Sequence, residues 1–401
     1  MPKSPSKNPD DVVIVSAVRT PIGKFKGTLT PLPAPDLGAV AIKAAVERAG
    51  IDPLSIDEVL MGSVVQAGQG QAPARQASIN AGLPATVGAT TVNKICGSGL
   101  KTIMMAASAI AVGTGDIFVA GGMESMNNGP YLLDKARFGY RLGNNELIDA
   151  MVHDGLWCSF EDQHMGNAAE WIAREYGLTR AELDEFAYQS HMKAVEAIDE
   201  GRFEDEIVPV EVPQRRGEPL LFSVDETPRR DTSLEALARL SPAFQRDGIV
   251  TAGNSPGITD GAAATVVMSR SKADELGIEP LARVVSYDQA AVEPLEIFTA
   301  PIFAVRQLLE KTETTVDDYD LFEVNEAFAA QMLADIRALH LPEHKVNVNG
   351  GAIALGHPIG CSGARVLVTL IYALRHRGLQ HGLAALCLGG GEAVAMAIER
   401  E

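Results

Sequence analysis

Ala89-Thr90-Thr91-Val92-Asn93-Lys94-Ile95-Cys96-Gly97-Ser98-Gly99 runs from a short β-branched stretch through a glycine-bounded cysteine into a helix. The helix is legible because Leu100, Ile103, Met104, Ala107, Ile110 and Ala111 fall on one helical face. Beyond it, Ile117-Phe118-Val119-Ala120 reads as a second strand and ends in Gly121-Gly122-Met123-Glu124. Strand, helix and strand with glycine punctuation form the unit of an α/β protein. Strand-like runs at 12–18, 263–268, 282–286 and 383–388 extend that pattern along the chain.

The unit recurs. Asn347-Val348-Asn349 leads through Cys361-Ser362-Gly363 into a helical pattern of Val366, Leu367, Leu370, Ile371 and Leu374. A strand at 384–388 follows and ends in Gly389-Gly390-Gly391-Glu392. The acidic openings Ile56-Asp57-Glu58-Val59 and Val316-Asp317-Asp318-Tyr319 lengthen the echo upstream. It implies two similar α/β halves packed together.

Between the halves, over about residues 127–256, the composition shifts toward aromatics (Tyr131, Phe138, Tyr140, Trp157, Phe160, Trp171). Arg/Pro-rich segments such as Pro213-Gln214-Arg215-Arg216-Gly217 and Pro228-Arg229-Arg230 also fall there. This stretch reads as a large insertion in the first half, helical over 180–198, with loops long enough to be functional. The expected division is 1–126 as the first half, completed by about 257–278, then the insertion 127–256, then 279–401 as the second half.

The 401 residues are 46% hydrophobic and 21% charged, which supports packed cores and excludes disorder. Thirty-four Lys and Arg against 52 Asp and Glu leave a formal charge of −18, which argues against nucleic acid or an anionic membrane as partner. An anionic small ligand on a local basic patch stays compatible. No apolar run approaches the ~18 residues of a bilayer span. Residues 1–10 lack both the apolar core of a secretory signal and the Arg-rich pattern of a transit peptide. Cys96, Cys158, Cys361 and Cys387 have no metal-like spacing and read as free thiols of a reducing compartment. A cytoplasmic protein without a bound metal is expected.

Cys96 can be a small buried hydrophobe. At a helix N-terminus it can also be a nucleophile, because the helix favours thiolate over thiol and lowers the pKa. His357 lies in Gly350-Gly351-Ala352-Ile353-Ala354-Leu355-Gly356-His357-Pro358, where backbone groups can satisfy it. So glycine-rich a loop also lets the imidazole face a substrate as general acid or oxyanion donor. Cys387 ends an apolar strand and is either a core thiol or a neighbour of the N–H groups of Gly389-Gly390-Gly391, which can hold an oxyanion. No Lys-Ser or Lys-Thr follows those glycines, which argues against a phosphate loop. Asn325, in Asn325-Glu326-Ala327-Phe328, can cap the next helix or present its amide to a water. His164-Met165-Gly166 and Gly253-Asn254-Ser255-Pro256-Gly257 are less specific, and Cys158 and Cys361 read as structural.

In this order and spacing, five motifs together resemble the thiolase family. They are Asn93 to Gly99, His164-Met165-Gly166, Asn325-Glu326-Ala327-Phe328, Gly350 to Pro358, and Cys387-Leu388-Gly389-Gly390-Gly391. The resemblance runs from about residue 12 to 397 and includes Val18-Arg19-Thr20-Pro21-Ile22-Gly23. It implies a duplicated α-β-α-β-α layered fold with an inserted loop domain. It implies Cys96 as the nucleophile that carries the acyl group as a thioester. His357 is then the residue that activates Cys96 and protonates the departing CoA, and Cys387 the acid/base at C2 of a second acetyl-CoA. By the same resemblance the enolate oxygen goes to His357 and a water on Asn325, and the tetrahedral oxyanion to the N–H groups of Cys96 and Gly389. Arg229 is implied near the nucleotide end of CoA, and His164, Met165, Phe244, Ser255 and Phe328 along the pantetheine and acyl channel.

The implied reaction is reversible condensation of two acetyl-CoA to acetoacetyl-CoA and CoA by a homo-oligomer, dimer or tetramer. Coenzyme A thioesters are the substrates, and no prosthetic group is called for. Met165 resembles short-chain members; the main alternative is cleavage of longer 3-ketoacyl-CoA in fatty-acid β-oxidation. A decarboxylating ketoacyl synthase and a non-catalytic acyl-CoA carrier are further alternatives. The glycine-rich ending after Cys387 argues against the first, and the joint presence of Cys96, His357 and Cys387 against the second. Three departures from the family pattern stand out: Pro256-Gly257, Thr259-Asp260-Gly261-Ala262, and Gly391-Glu392-Ala393, which sets an anion beside the glycine loop.

Overall fold

A computed structural model describes residues 8–401; the first seven residues of the polar opening lie outside the described residues. Nine strands, in chain order, build the main sheet. They are β1 (Val12–Arg19), β2 (Glu58–Gly62), β3 (Gly88–Val92), β4 (Ile117–Ser125), β5 (Thr259–Ser269), β6 (Ala282–Ala291), β7 (Leu321–Val324), β8 (His381–Leu388) and β9 (Glu392–Arg400). Their lateral order is β7-β8-β9-β6-β1-β5-β4-β2-β3, with Gly23–Lys24 appended to β5. Among the described strands the two halves pair only at Val13↔Arg283 and Ile14↔Ala282 of β1 and β6, whereas β4 and β5 pair from Met268↔Ile117 to Asp260↔Ser125. A narrow seam therefore joins two sheets.

Each half repeats one topology. In the first, β3, β2 and β4 are parallel and antiparallel β5 and β1 follow. In the second, β7 and β8 are parallel and antiparallel β9 and β6 follow. Val346 makes a lone parallel bridge to Phe322 where the first half has all of β3. One link differs. β8 turns into β9 at Gly389, Gly390 and Gly391, the last two at φ 90° and 86°, whereas residues 126–258 separate β4 from β5. Side-chain-free residues are required in that turn, since a Cβ on Gly391 would lie 2.6 Å from the carbonyl oxygen of Val292.

Strand alternation assigns the layers. Val12, Ile14, Phe118 and Ala120 face a middle layer of two helices, α1 (Ser98–Ala111) and α2 (Ile359–Arg377). Val13, Val15, Ile117 and Val119 face the outer helix Ala34–Ala49. In the second half Leu386, Val394 and Met396 face the middle layer, while Ala385, Ala395 and Ala397 face the helices Ala300–Thr312 and Ala329–Leu339. The order across the molecule is α-β-α-β-α. α2 is buried from Ile359 to Leu374, as a helix sandwiched between two sheets must be.

The middle helices cross at glycines. A Cβ on Gly99 would lie 2.6 Å from the backbone nitrogen of Ala364, and one on Gly363 would overlap the backbone of Leu100. Gly99 and Gly363 close the two echoing sequence motifs, so the repeat supplies its own contact point.

Candidate active site

Cys96 stands two residues before α1 and His357 two residues before α2, so the crossing of these helix ends brings the two loops together. The Cys96 loop is strained and locally braced. Ile95 has φ 45°, a conformation β-branched residues rarely adopt. Its N–H donates to Asn93 Oδ1 at 3.0 Å, and Ser98 Oγ accepts from the Lys94 N–H at 2.8 Å while donating to the Ile95 carbonyl at 2.6 Å. A Cβ on Gly97 would overlap Leu388, which places this loop on the end of β8 beside Cys387. The N–H of Gly389 reaches the Cys96 sulfur.

The structure corrects the expected low pKa of Cys96. Burial pushes its thiol up to about 12; the N–H groups of Gly389 and of Cys96 itself pull it down by less, and the charge of Glu124 adds to the rise. Cys96 lies outside the first turn of α1, where a helix end acts weakly, and its half-buried side chain packs against two apolar clusters. Desolvation wins.

His357 is neutral for the same reason. Burial and then the charge of Arg365 hold its imidazole down to about 3. His357 Nδ1 lies 2.6 Å from Ser362 Oγ, and Ser362 Oγ donates to the Pro358 carbonyl at 2.9 Å. With its one hydrogen committed, the hydroxyl can only accept from Nδ1–H, which leaves Nε2 as the ring's free base. Asn325 does not cap a helix; Phe328 holds that position. Instead Asn325 Nδ2 rests 3.5 Å from both ring nitrogens, too long and too even for a directed hydrogen bond. Asn325 Oδ1 is buried without a protein partner, which is how an acceptor for a bound water presents itself. Cys387 is fully buried beside Phe298, Phe328 and Ile353. Burial, then Cys96 and Asp335, push its thiol well above the ordinary range.

Three positioning residues escaped the sequence reading. Ser362 is one. Glu124, at the end of β4, accepts from the N–H groups of Val64 (3.0 Å), Val65 (3.2 Å) and Gly360 (2.9 Å), which fastens the His357 loop to the first half. Burial still raises its carboxyl to about 7. Glu326 accepts from Ser190 Oγ at 2.7 Å, the Ile353 N–H at 3.0 Å and Asn347 Nδ2 at 3.0 Å, and so holds the turn that carries Asn325. The available signal was an acid at the end of a glycine-punctuated strand and another directly after Asn325.

The binding candidates separate into three places. Arg229 and Ser255 line a cleft of about 850 Å³ together with His191, Arg230, Ile353 and Gly356. Arg229 donates its N–H to His191 Nδ1 at 3.2 Å, and Ser255 Oγ is engaged by the Thr251 carbonyl at 2.8 Å. Met165 and Gly389 line a smaller cleft of about 290 Å³ with Ile95 and Cys158. His164, Phe244 and Phe328 form an aromatic wall: His164 stacks on Phe244 at 4.8 Å, and Phe328 meets Phe244 at 6.0 Å and Phe298 at 5.4 Å, both edge-on. Phe244, Phe328 and Cys387 share one apolar cluster. All four cysteines are free. Among the described residues no side-chain group has the arrangement of a metal site, and no helix is long and apolar enough to cross a membrane.

A duplicated layered fold with cysteine, imidazole and glycine turn at its helix crossing defines a class, and two family models recognise it. The thiolase N-terminal domain model matches residues 12–271 and the thiolase C-terminal domain model residues 278–400. The chain belongs to the thiolase family. Among its relatives, an acetyl-CoA acetyltransferase of Cupriavidus necator is 54% identical over 98% of this chain and 100% of that protein. One of Pseudomonas aeruginosa is 53% identical over the same shares. The crystal structure of the Bacillus anthracis acetyl-CoA acetyltransferase matches with a TM-score of 0.96 at 45% identity, covering 98% of this chain and 99% of that one.

Proposed function

We propose that this protein is an acetyl-CoA C-acetyltransferase that condenses two acetyl-CoA into acetoacetyl-CoA and CoA, and runs the reverse thiolysis. The observation that carries the reading is the helix crossing at Gly99 and Gly363, which draws together the loop of Cys96, seated on the end of β8 beside Cys387, and the loop of the neutral His357, which has Asn325 beside it. The names of the relatives support it over cleavage of longer chains.

In the first half-reaction the Cys96 proton passes to His357 Nε2 as the sulfur attacks the thioester carbonyl. The N–H groups of Cys96 and Gly389 hold the oxyanion, and the departing CoA sulfur takes the proton from His357. In the second, Cys387 gives its proton to His357 and, as thiolate, takes one from C2 of the next acetyl-CoA. The imidazolium and a water on Asn325 hold the enolate oxygen. The enolate carbon then attacks the acetyl group, Cys96 leaves as thiolate, and His357 reprotonates it. A thiol pushed upward makes a strong base once ionised, which suits Cys387 to a weak carbon acid.

The insertion, residues 127–256, holds CoA in this reading, with Arg229 at the nucleotide end and His164, Met165, Phe244, Ser255 and Phe328 along the pantetheine and acyl path. The chain works in the cytoplasm as a homo-oligomer, and the exposed Tyr131, Phe138 and Leu142 offer an apolar surface to another copy. Mass spectrometry after exposure to acetyl-CoA tests the chemistry. Acetyl should appear on Cys96, vanish in Cys96→Ala, and persist in Cys387→Ala, which stalls at condensation. Equal loss of acylation in both variants overturns the roles, and efficient cleavage of a C10 3-ketoacyl-CoA overturns the chain length.

A further inference from the structure

We propose that Lys94 and Glu392 are a positioning pair that sets the spacing of the two N–H groups facing the acyl oxygen, one from each half of the molecule. The inference rests on the reading above that the N–H groups of Cys96 and Gly389 hold that oxygen.

The two donors belong to very different backbones. Gly389 leaves β8, and three residues later Glu392 opens β9 with its main chain paired on both sides, to Leu388 and to Ala291. That end is rigid. Cys96 sits in a loop whose pairing is a single local bridge between Lys94 and Cys96, with Ile95 strained between them at φ 45°. Its own hydrogen bonds and the packing of Gly97 on Leu388 hold that strain, and a charged tie to the second half adds to them.

Lys94 supplies a charged outside contact beside the packing on Leu388. Its ammonium lies 2.8 Å from each oxygen of the Glu392 carboxylate, and the two side chains are 19% and 39% exposed. The link ties a residue two before Cys96 to one three after Gly389, from the first half to the second. Lys101, on α1, bonds Gln289 Oε1 at 3.2 Å and is held down by burial and then by the charge of Lys94, so Glu392 offsets two cations. The anionic departure at Glu392 thus has a partner and a place. A hydrogen bond to a developing oxyanion depends on donor position to a fraction of an ångström, so this tie acts on chemistry more than on folding. A half-exposed ion pair adds little to stability.

The test is acetylation of the full chain across a range of acetyl-CoA concentrations up to saturation, read by mass, with melting curves alongside. Lys94→Met and Glu392→Gln should each slow acetylation by about twofold to fivefold, with KM and melting temperature nearly unchanged. The charge-reversed double variant, Lys94→Glu with Glu392→Lys, should recover most of the lost rate with the melting temperature unchanged throughout, whereas a merely structural contact would show its loss and recovery in the melting temperature. Raising KCl to about 0.5 M should slow the native protein toward the single variants. Singles as fast as the native protein, or a reversed pair as slow as the singles, overturn the proposal. A native protein that takes no acetyl on Cys96 overturns the underlying reading instead, so the two failures are distinct.

Discussion

Ser362 Oγ accepts the Nδ1 hydrogen of His357 at 2.6 Å while its own hydrogen is spent on the Pro358 carbonyl at 2.9 Å. One buried hydroxyl therefore decides which imidazole nitrogen keeps its lone pair free.

Ser362→Ala removes that decision. The ring loses its Nδ1 partner and is free to carry the hydrogen on Nε2, where it cannot accept the Cys96 proton. The expected outcome is a fall in kcat of about tenfold, the worth of one buried hydrogen bond, with KM for acetyl-CoA little changed. Nitrogen-15 shifts of the His357 ring should report Nδ1–H in the native protein and a mixture in the variant. An Nε2–H ring in the native protein would refute the assignment.

Cys96 at about 12 and His357 at about 3 make a neutral pair at rest. The thiol loses its proton only as pH rises toward its folded value, and the imidazole gains one only as pH falls toward its own. Thiolate absorbance near 240 nm that is sensitive to Cys96→Ala should be absent at pH 7. Alkylation of Cys96 by iodoacetamide should climb through pH 9 without levelling. A plateau near neutrality would show a stable thiolate–imidazolium pair and contradict this account.

Glu124→Gln keeps shape and loses an acceptor. One side-chain oxygen is left for the N–H groups of Val64, Val65 and Gly360, and the amide points its own hydrogens at one of them. An unsatisfied buried N–H costs about 1–3 kcal/mol. The melting temperature should fall by a few degrees, and the rate of acetylation should fall with it because Gly360 belongs to the His357 loop. Calorimetry and burst kinetics measure the two.

Phe298 packs edge-on against Phe328 at 5.4 Å, and Phe328 in turn meets Phe244 at 6.0 Å. Phe298→Ala leaves a cavity behind the aromatic wall at a cost of about 3–5 kcal/mol. Melting should drop clearly, and the ratio of activity on a C6 over a C4 3-ketoacyl-CoA should rise as Phe328 gains room to retreat. An unchanged ratio would detach Phe298 from chain-length control.

Arg229 is a basic side chain lining the large cleft of an acidic protein. Arg229→Ala should raise KM for acetyl-CoA by about fivefold, more at low salt than at high, with kcat nearly intact. A kcat loss at constant KM would move this residue from binding to chemistry.

The helical face from Leu100 to Ala111 and the strand runs around Val12, Ile117, Ala282 and Leu383 were readable because their periodicity is local. The echo ending in Gly99 and Gly363 was readable for the same reason, although nothing local says that these two glycines touch. The candidate site was proposed from motifs. Its electrostatics were not legible in them: the helix-end argument for Cys96 failed because it weighed one neighbouring dipole and could not weigh the apolar packing supplied by distant segments. Asn325 was left between cap and water-holder, and only the position of its amide beside His357 separates the two.

From its sequence alone this protein's duplicated α/β plan, its glycine turns and the candidates Cys96, His357 and Cys387 follow, because repeats, periodicity and residue chemistry are written in consecutive positions. Tertiary structure decided the rest. The protonation of Cys96, the His357 tautomer, the anchoring by Glu124 and Glu326 and the Lys94–Glu392 tie all depend on which groups far apart in the chain exclude water from one another. Desolvation and hydrogen-bond partnership are properties of that assembly, and no single stretch of residues carries them.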